Sequence, residues 1–183
     1  MKPCCRQWWS ARLLSQQGFS LFELCIVLMV IGILIYFSYG YYRSTIEDSK
    51  AVMVKFQAAT FSRTVSNLYG QAKLTGADSV TMEGTEIFIN EKGWPASAEE
   101  RSSVRSYNQS PKECELLWHG IFSNAPGTVI AGSKDDENGK PHNEFRIYSI
   151  NGRICRYELR RKPKGQYYFD YHLGSGKVEV FSP

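Results

Sequence analysis

The chain has 183 residues with 22 basic and 18 acidic side chains, a formal net charge of +4. That length suits one membrane segment and one domain of ordinary size, and two domains would stretch it. Lys2, Arg6 and Arg12 carry three of the four excess charges, leaving the remainder near neutral at +1, which argues against a globally nucleic-acid-binding surface.

The first element is the run Gln16-Gln17-Gly18-Phe19-Ser20-Leu21-Phe22-Glu23-Leu24, which opens an apolar stretch ending near Phe37. From Phe19 to Tyr42 there are 24 residues with Glu23 as the only charge, about 36 Å of helix and enough to cross a bilayer once. An acid near the centre of such a helix costs roughly 2.5–3.5 kcal/mol on insertion scales, so Glu23 needs a purpose. Lys2, Arg6 and Arg12 have no acidic neighbour, whereas Arg43 is followed by Glu47 and Asp48. The positive-inside rule then puts residues 1–18 in the cytoplasm and the remainder outside. Two other readings of the stretch stay open: a secretory signal peptide cut at Ser38-Tyr39-Gly40, and an uncut signal anchor.

The residues Gly18, Phe19 and Glu23 resemble the N-terminal methylation motif of type IV prepilins and of the pseudopilins of type II secretion. In that family a short basic leader ends in Gly, Phe follows, and a Glu stands five places after the cut. The resemblance covers about 24 residues and implies cleavage between Gly18 and Phe19 by a membrane aspartyl prepilin peptidase. Methylation of the new Phe19 amine and transfer through an inner-membrane assembly platform into a filament of other pilin subunits would follow. Glu23 would pair its carboxylate with the Phe19 ammonium of the adjacent subunit, neutralising two charges in an apolar bundle and fixing axial register. The other reading of Glu23 is a carboxylate at the lipid headgroup boundary.

The fold so implied is α+β, a long N-terminal helix whose first half protrudes and whose second half packs on a C-terminal antiparallel sheet. Residues 1–18 are the cytoplasmic leader, 19–42 the transmembrane and filament-core helix, 43–70 its amphipathic continuation and 71–183 a periplasmic head of α/β loop plus antiparallel sheet. The chain would sit in the inner membrane by a single pass, N-terminus cytoplasmic, and later at the cell surface. At Gly40 the sequence departs from the many family members with Pro at that place. Glycine loosens a helix without removing its N–H, so flexibility rather than a fixed bend is expected there.

No Pro occurs between Pro3 and Pro95, and Val54, Ala58, Phe61, Val65 and Leu68 recur at helical spacing. These residues form one apolar stripe that something must cover, with Arg43, Glu47, Lys50 and Lys55 placed elsewhere and Tyr69-Gly70 as the exit. Ser79 to Met82 and Thr85 to Asn90, flanking Glu83-Gly84, predict a short hairpin that Gly93-Trp94-Pro95 ends. Ser110-Pro111-Lys112-Glu113 has the marks of a capped helix start, and that helix would carry Cys114, Leu117 and Trp118. Glu144 to Ile150 and Arg153 to Leu159 flank Asn151-Gly152, the strongest short-range hairpin signal. Gln166 to Leu173 and Lys177 to Phe181 follow, joined through Gly174-Ser175-Gly176. Cys155, Tyr157 and Leu159 share one strand face, as do Tyr167, Phe169 and Tyr171, and those faces would receive the helix stripe.

Topology divides the five cysteines. Cys4 and Cys5 lie in the leader and Cys25 in the span, which leaves Cys114 and Cys155 in the exported domain, where a disulfide is the default. Two separate buried thiols are the alternative.

Sites for chemistry are few, and an enzyme is not expected. His119, His142 and His172 lie in no HExxH motif, no Cys-x-x-Cys pair occurs, and Gly174-Ser175-Gly176-Lys177 lacks the spacing of a phosphate loop. No cofactor is implied. Asp135, Asp136 and Glu137 could offer hard oxygens to calcium but lack alternating ligand spacing, and read as a solvated turn. Arg160, Arg161, Lys162 and Lys164 form a small basic tip, either an exposed hairpin end or a site for nucleic-acid phosphates. The spread of Trp94-Pro95, the cysteine pair and the sheet looks most like a minor or accessory pilin of the mannose-sensitive haemagglutinin type. A type II secretion pseudopilin is the alternative, and a signal-anchored adhesin or binding domain a second.

Overall fold

The computed structural model describes residues 20–100, 108–137, 143–160 and 164–182. The chain falls into two compact units, one up to Ser44 and one from Thr45. The first consists, where described, of the opening turns of helix α1, Leu21–Thr75. The class is α+β, as expected.

In the second unit, Val54, Ala58, Phe61, Val65 and Leu68 are all buried, which is the expected stripe. The stripe is longer than predicted at both ends. Lys50, one turn before Val54, is also buried, and its stem packs near the Tyr167 ring with the ammonium 5.8 Å from the centroid. A lysine can join an apolar face in this way because four methylenes lie beneath its charge. At the other end α1 passes Tyr69-Gly70, buries Ala72 and stops at Thr75. Gly76, at φ +66°, donates its N–H to Ala72 O at 2.8 Å and closes the helix in the left-handed conformation that glycine adopts without strain. Gly70 is tolerated inside the helix because the turns on either side are held by packing.

Strands β1, Ser79–Met82, and β2, Thr85–Ile89, form the predicted hairpin, with Val80 opposite Ile87. A third strand, β3, Pro95–Ser97, adds antiparallel to β2 and was not foreseen. It has three residues and starts on Pro, the one strand position where a missing N–H does little harm. Helix α2, Pro111–Ile121, begins as its sequence signals. Ser110 Oγ accepts from Glu113 N at 3.4 Å, and the Glu113 carboxylate accepts from Ser110 N at 2.6 Å.

The second sheet runs in the order β4 (Gly127–Ile130), β5 (Asn143–Ile150), β6 (Ile154–Leu159), β7 (Tyr168–His172), β8 (Val178–Phe181). Four of the strands pair antiparallel, but β4 lies parallel to β5, so the sheet is mixed rather than purely antiparallel. A four-residue parallel edge strand has no alternation long enough to read. The β5–β6 turn has positive φ at Asn151 (+52°) and Gly152 (+67°), with Arg153 N donating to Ile150 O at 3.1 Å. Those angles suit a right-twisting hairpin and are the reason Asn-Gly specifies one.

The helix stripe meets the predicted strand faces. Cys155, Tyr157, Leu159, Tyr167, Phe169 and Tyr171 are all buried. Phe61 is the hub, with its ring 5.3 Å from Tyr157, 5.5 Å from Phe169, 5.2 Å from Tyr171 and 6.1 Å from Phe122. Buried phenols find acceptors: Tyr157 Oη donates to Cys114 O at 2.9 Å and Tyr171 Oη to Pro95 O at 2.8 Å. Burial pushes both phenols well above their ordinary pKa, so they remain protonated donors. The two sheets are joined through Asn90. Its Nδ2 donates to Leu173 O at 2.8 Å, and its Oδ1 accepts from Lys92 N and Trp94 N.

Candidate functional site

The apolar opening of α1 is exposed throughout among the described residues. An 18-residue window of it has a mean hydropathy of 2.5 and no buried residue. Among the described residues it is the one helix long and apolar enough to cross a membrane. An all-round apolar helix that no described residue covers needs lipid or other helices as cover, since apolar area left in water costs about 25 cal/mol per Å². Leu21 is 80% exposed and Leu34 60%, and both ends of the stretch are as bare as its middle.

Glu23 lies in the first turn, where the exposed helix N–H groups favour a negative charge. It is the only charged residue from Ser20 to Tyr42. The predicted cleavage residues Gly18 and Phe19 lie outside the described residues. Cys25 is an exposed free thiol two places beyond Glu23. Gly40 sits within an unbroken helix, and a Cβ added there would meet nothing within 4 Å.

The predicted disulfide is present. Cys114 in the first turns of α2 and Cys155 in β6 are bonded, with Cα atoms 5.6 Å apart and both residues fully buried. The bond fastens α2 to the middle of the larger sheet.

The acidic cluster and the basic run, read separately in the sequence, meet in the structure. Lys134–Glu137 forms a one-turn helix, α3. Asp136 takes a forked pair of hydrogen bonds from Arg146, from Nε at 2.9 Å and Nη2 at 2.8 Å. Arg146 also reaches Glu158 at 3.4 Å. Arg160 donates to Asp136 O at 2.8 Å and lies 3.5 Å from its carboxylate, with only 15% of its side chain exposed. Burial raises the Asp136 carboxyl, but hydrogen bonds from Arg146 and Gly132 N, with the charges of Arg146 and Arg160, outweigh it and hold the group below its ordinary value. Asp136 and Arg160 are therefore fixed in an ion-pair network that ties α3 to β5 and β6. Lys164 is exposed, while Arg161 and Lys162 lie outside the described residues.

Sequence reasoning missed two polar centres. Arg146 stands between Phe145 and Ile147, which face the core, and that alternation places it on the opposite face with Glu158, its register partner in β6. Glu47 accepts from Tyr167 Oη at 2.6 Å and pairs with Lys50 at 3.1 Å, so the start of the head is clasped to the chain entering β7. The Glu47 bond raises the Tyr167 phenol above its ordinary value.

The arrangement defines a long N-terminal apolar helix, fit to span a membrane once, followed by a disulfide-bonded head built on β-sheet. No protein-family model, curated protein or solved structure matches the chain.

Proposed function

We infer that this chain is a prepilin-like filament subunit, stored in the inner membrane by α1 and assembled by it. Within that class it is a minor structural subunit of a type IV pilus, of the mannose-sensitive haemagglutinin type. The observation that carries this reading is the division of α1, bare and apolar over its first half and buried along one face over its second, with one carboxylate at the start of the bare half. A membrane anchor needs the apolar half but not Glu23, which is costly there. A filament core needs both, because the carboxylate finds its partner in the Phe19 ammonium of the next subunit.

In this account the leader 1–18 stays in the cytoplasm until a prepilin peptidase cuts between Gly18 and Phe19. The assembly platform then lifts the helix into a bundle in which neighbouring apolar faces cover one another, while the Cys114–Cys155 bond stabilises the exported head. The test is Glu23→Val, which removes the charge and keeps the helix. Export and leader removal are expected to continue while the subunit drops out of sheared filaments. Normal filament content in this variant would refute the register role.

A further inference from the structure

At the end of the bare apolar run, seven residues hold Tyr36, Tyr39, Tyr41 and Tyr42, with exposures of 79%, 62%, 79% and 65%. At about 100° per residue they stand near 0°, 300°, 140° and 240° around the helix axis, so they encircle it. This differs from the buried stripe of the same helix, which keeps to one face over seven positions from Lys50 to Ala72. A contact with a neighbouring helix calls for a stripe; a ring of phenols calls for a surrounding that is the same on every side. The first basic residue of α1, Arg43, follows at once, its guanidinium 5.9 Å from the Tyr39 ring.

We propose that Tyr36, Tyr39, Tyr41 and Tyr42 form an interfacial girdle that binds the lipid headgroups of the exported-side leaflet and holds Glu23 inside the hydrocarbon while the subunit is stored. A phenol ring has an apolar body and a polar tip, and the ester and phosphate oxygens of that zone accept its hydrogen bond. The girdle begins thirteen residues after Glu23, about 20 Å along a helix, whereas the hydrocarbon core is about 30 Å thick. With Tyr36 at the boundary, Glu23 lies about 10 Å short of the opposite headgroups, and tilt moves it further in. The girdle thus keeps the carboxylate from the headgroups that would hydrate it. The stored subunit is raised in energy until assembly supplies a partner charge.

The proposal rests on the membrane-stored state in the proposed function, and the test separates the two. The full chain, with Cys4→Ser and Cys5→Ser, is placed in lipid nanodiscs and spin-labelled at Cys25 or, with Cys25→Ser added, at Phe37→Cys, and label depth is read from oxygen against nickel-chelate accessibility. The Cys25 label is expected to report hydrocarbon. Replacing all four tyrosines by Leu should slide the helix, moving the Cys25 label about 5–10 Å toward the nearer headgroups and the Phe37 label deeper. Replacing all four by Trp should keep the original depth. Unchanged depth in the Leu variant would overturn the girdle and leave storage in the membrane standing. Labels reporting water at both positions in the unsubstituted helix would overturn membrane storage and the girdle with it.

Discussion

Removing the Cys114–Cys155 bond by a double Cys→Ala substitution should destabilise the head by about 4 kcal/mol. The bond closes 41 residues, and in the chain-entropy model a loop of that size removes about 13 cal/mol/K from the unfolded ensemble, close to 4 kcal/mol at 25 °C. The loss should be global rather than local to α2. That helix retains the Ser110–Glu113 capping box, the Tyr157 Oη bond to Cys114 O and the packing of Trp118 between Phe145 and Tyr157. The assay is thermal unfolding of the full chain in detergent, followed by near-ultraviolet circular dichroism, with and without reductant. A downward shift on the order of 10 °C is expected, with an unchanged native spectrum at low temperature. A shift below about 2 °C, or loss of the aromatic signal before any heating, would show that the bond does not act by limiting the unfolded chain.

Phe61→Ala removes a fully buried ring at the meeting of four other aromatics and should cost about 3–5 kcal/mol in denaturant unfolding; a loss under 1 kcal/mol would mean the helix stripe is not the core. Asp136 has a folded-state pKa below its ordinary 3.8, so its contribution is fully present above that value and is lost as pH falls through the depressed one. Asp136→Asn should therefore lower stability at neutral pH and flatten its decline in that acid window, measured by denaturant midpoints, and an unchanged acid limb would contradict the ion-pair network. Gly40→Ala places a methyl where nothing lies within 4 Å and should stiffen α1 by about 0.5–1 kcal/mol, seen as slower amide exchange around residue 40.

Period and punctuation made much of the fold legible. Val54 to Leu68 repeat at helical spacing because a single face is covered, and Asn151-Gly152 and Ser110-Pro111-Lys112-Glu113 specify backbone angles that few other residues favour. What escaped depends on distant partners. Pro95–Ser97 becomes a strand only because β2 offers an edge, and Gly127–Ile130 only because β5 does. Asp136 and Arg160, 24 positions apart, are neighbours because α3 follows β4, whose parallel pairing with β5 no local pattern encodes. From the sequence Lys50 is expected off the stripe, yet it stands four residues before Val54 and is buried, because its methylene stem can lie on an apolar face beneath its charge. Glu23 stood out because one charge in an apolar run is conspicuous by composition alone.

Mass spectrometry of the mature amino terminus, on protein isolated from envelope and sheared filaments, tests the processing and assembly account most directly. A chain beginning at methylated Phe19 is the predicted result. A chain beginning at Met1 would indicate an uncut anchor, one beginning at Tyr41 ordinary secretion, and either would contradict the account.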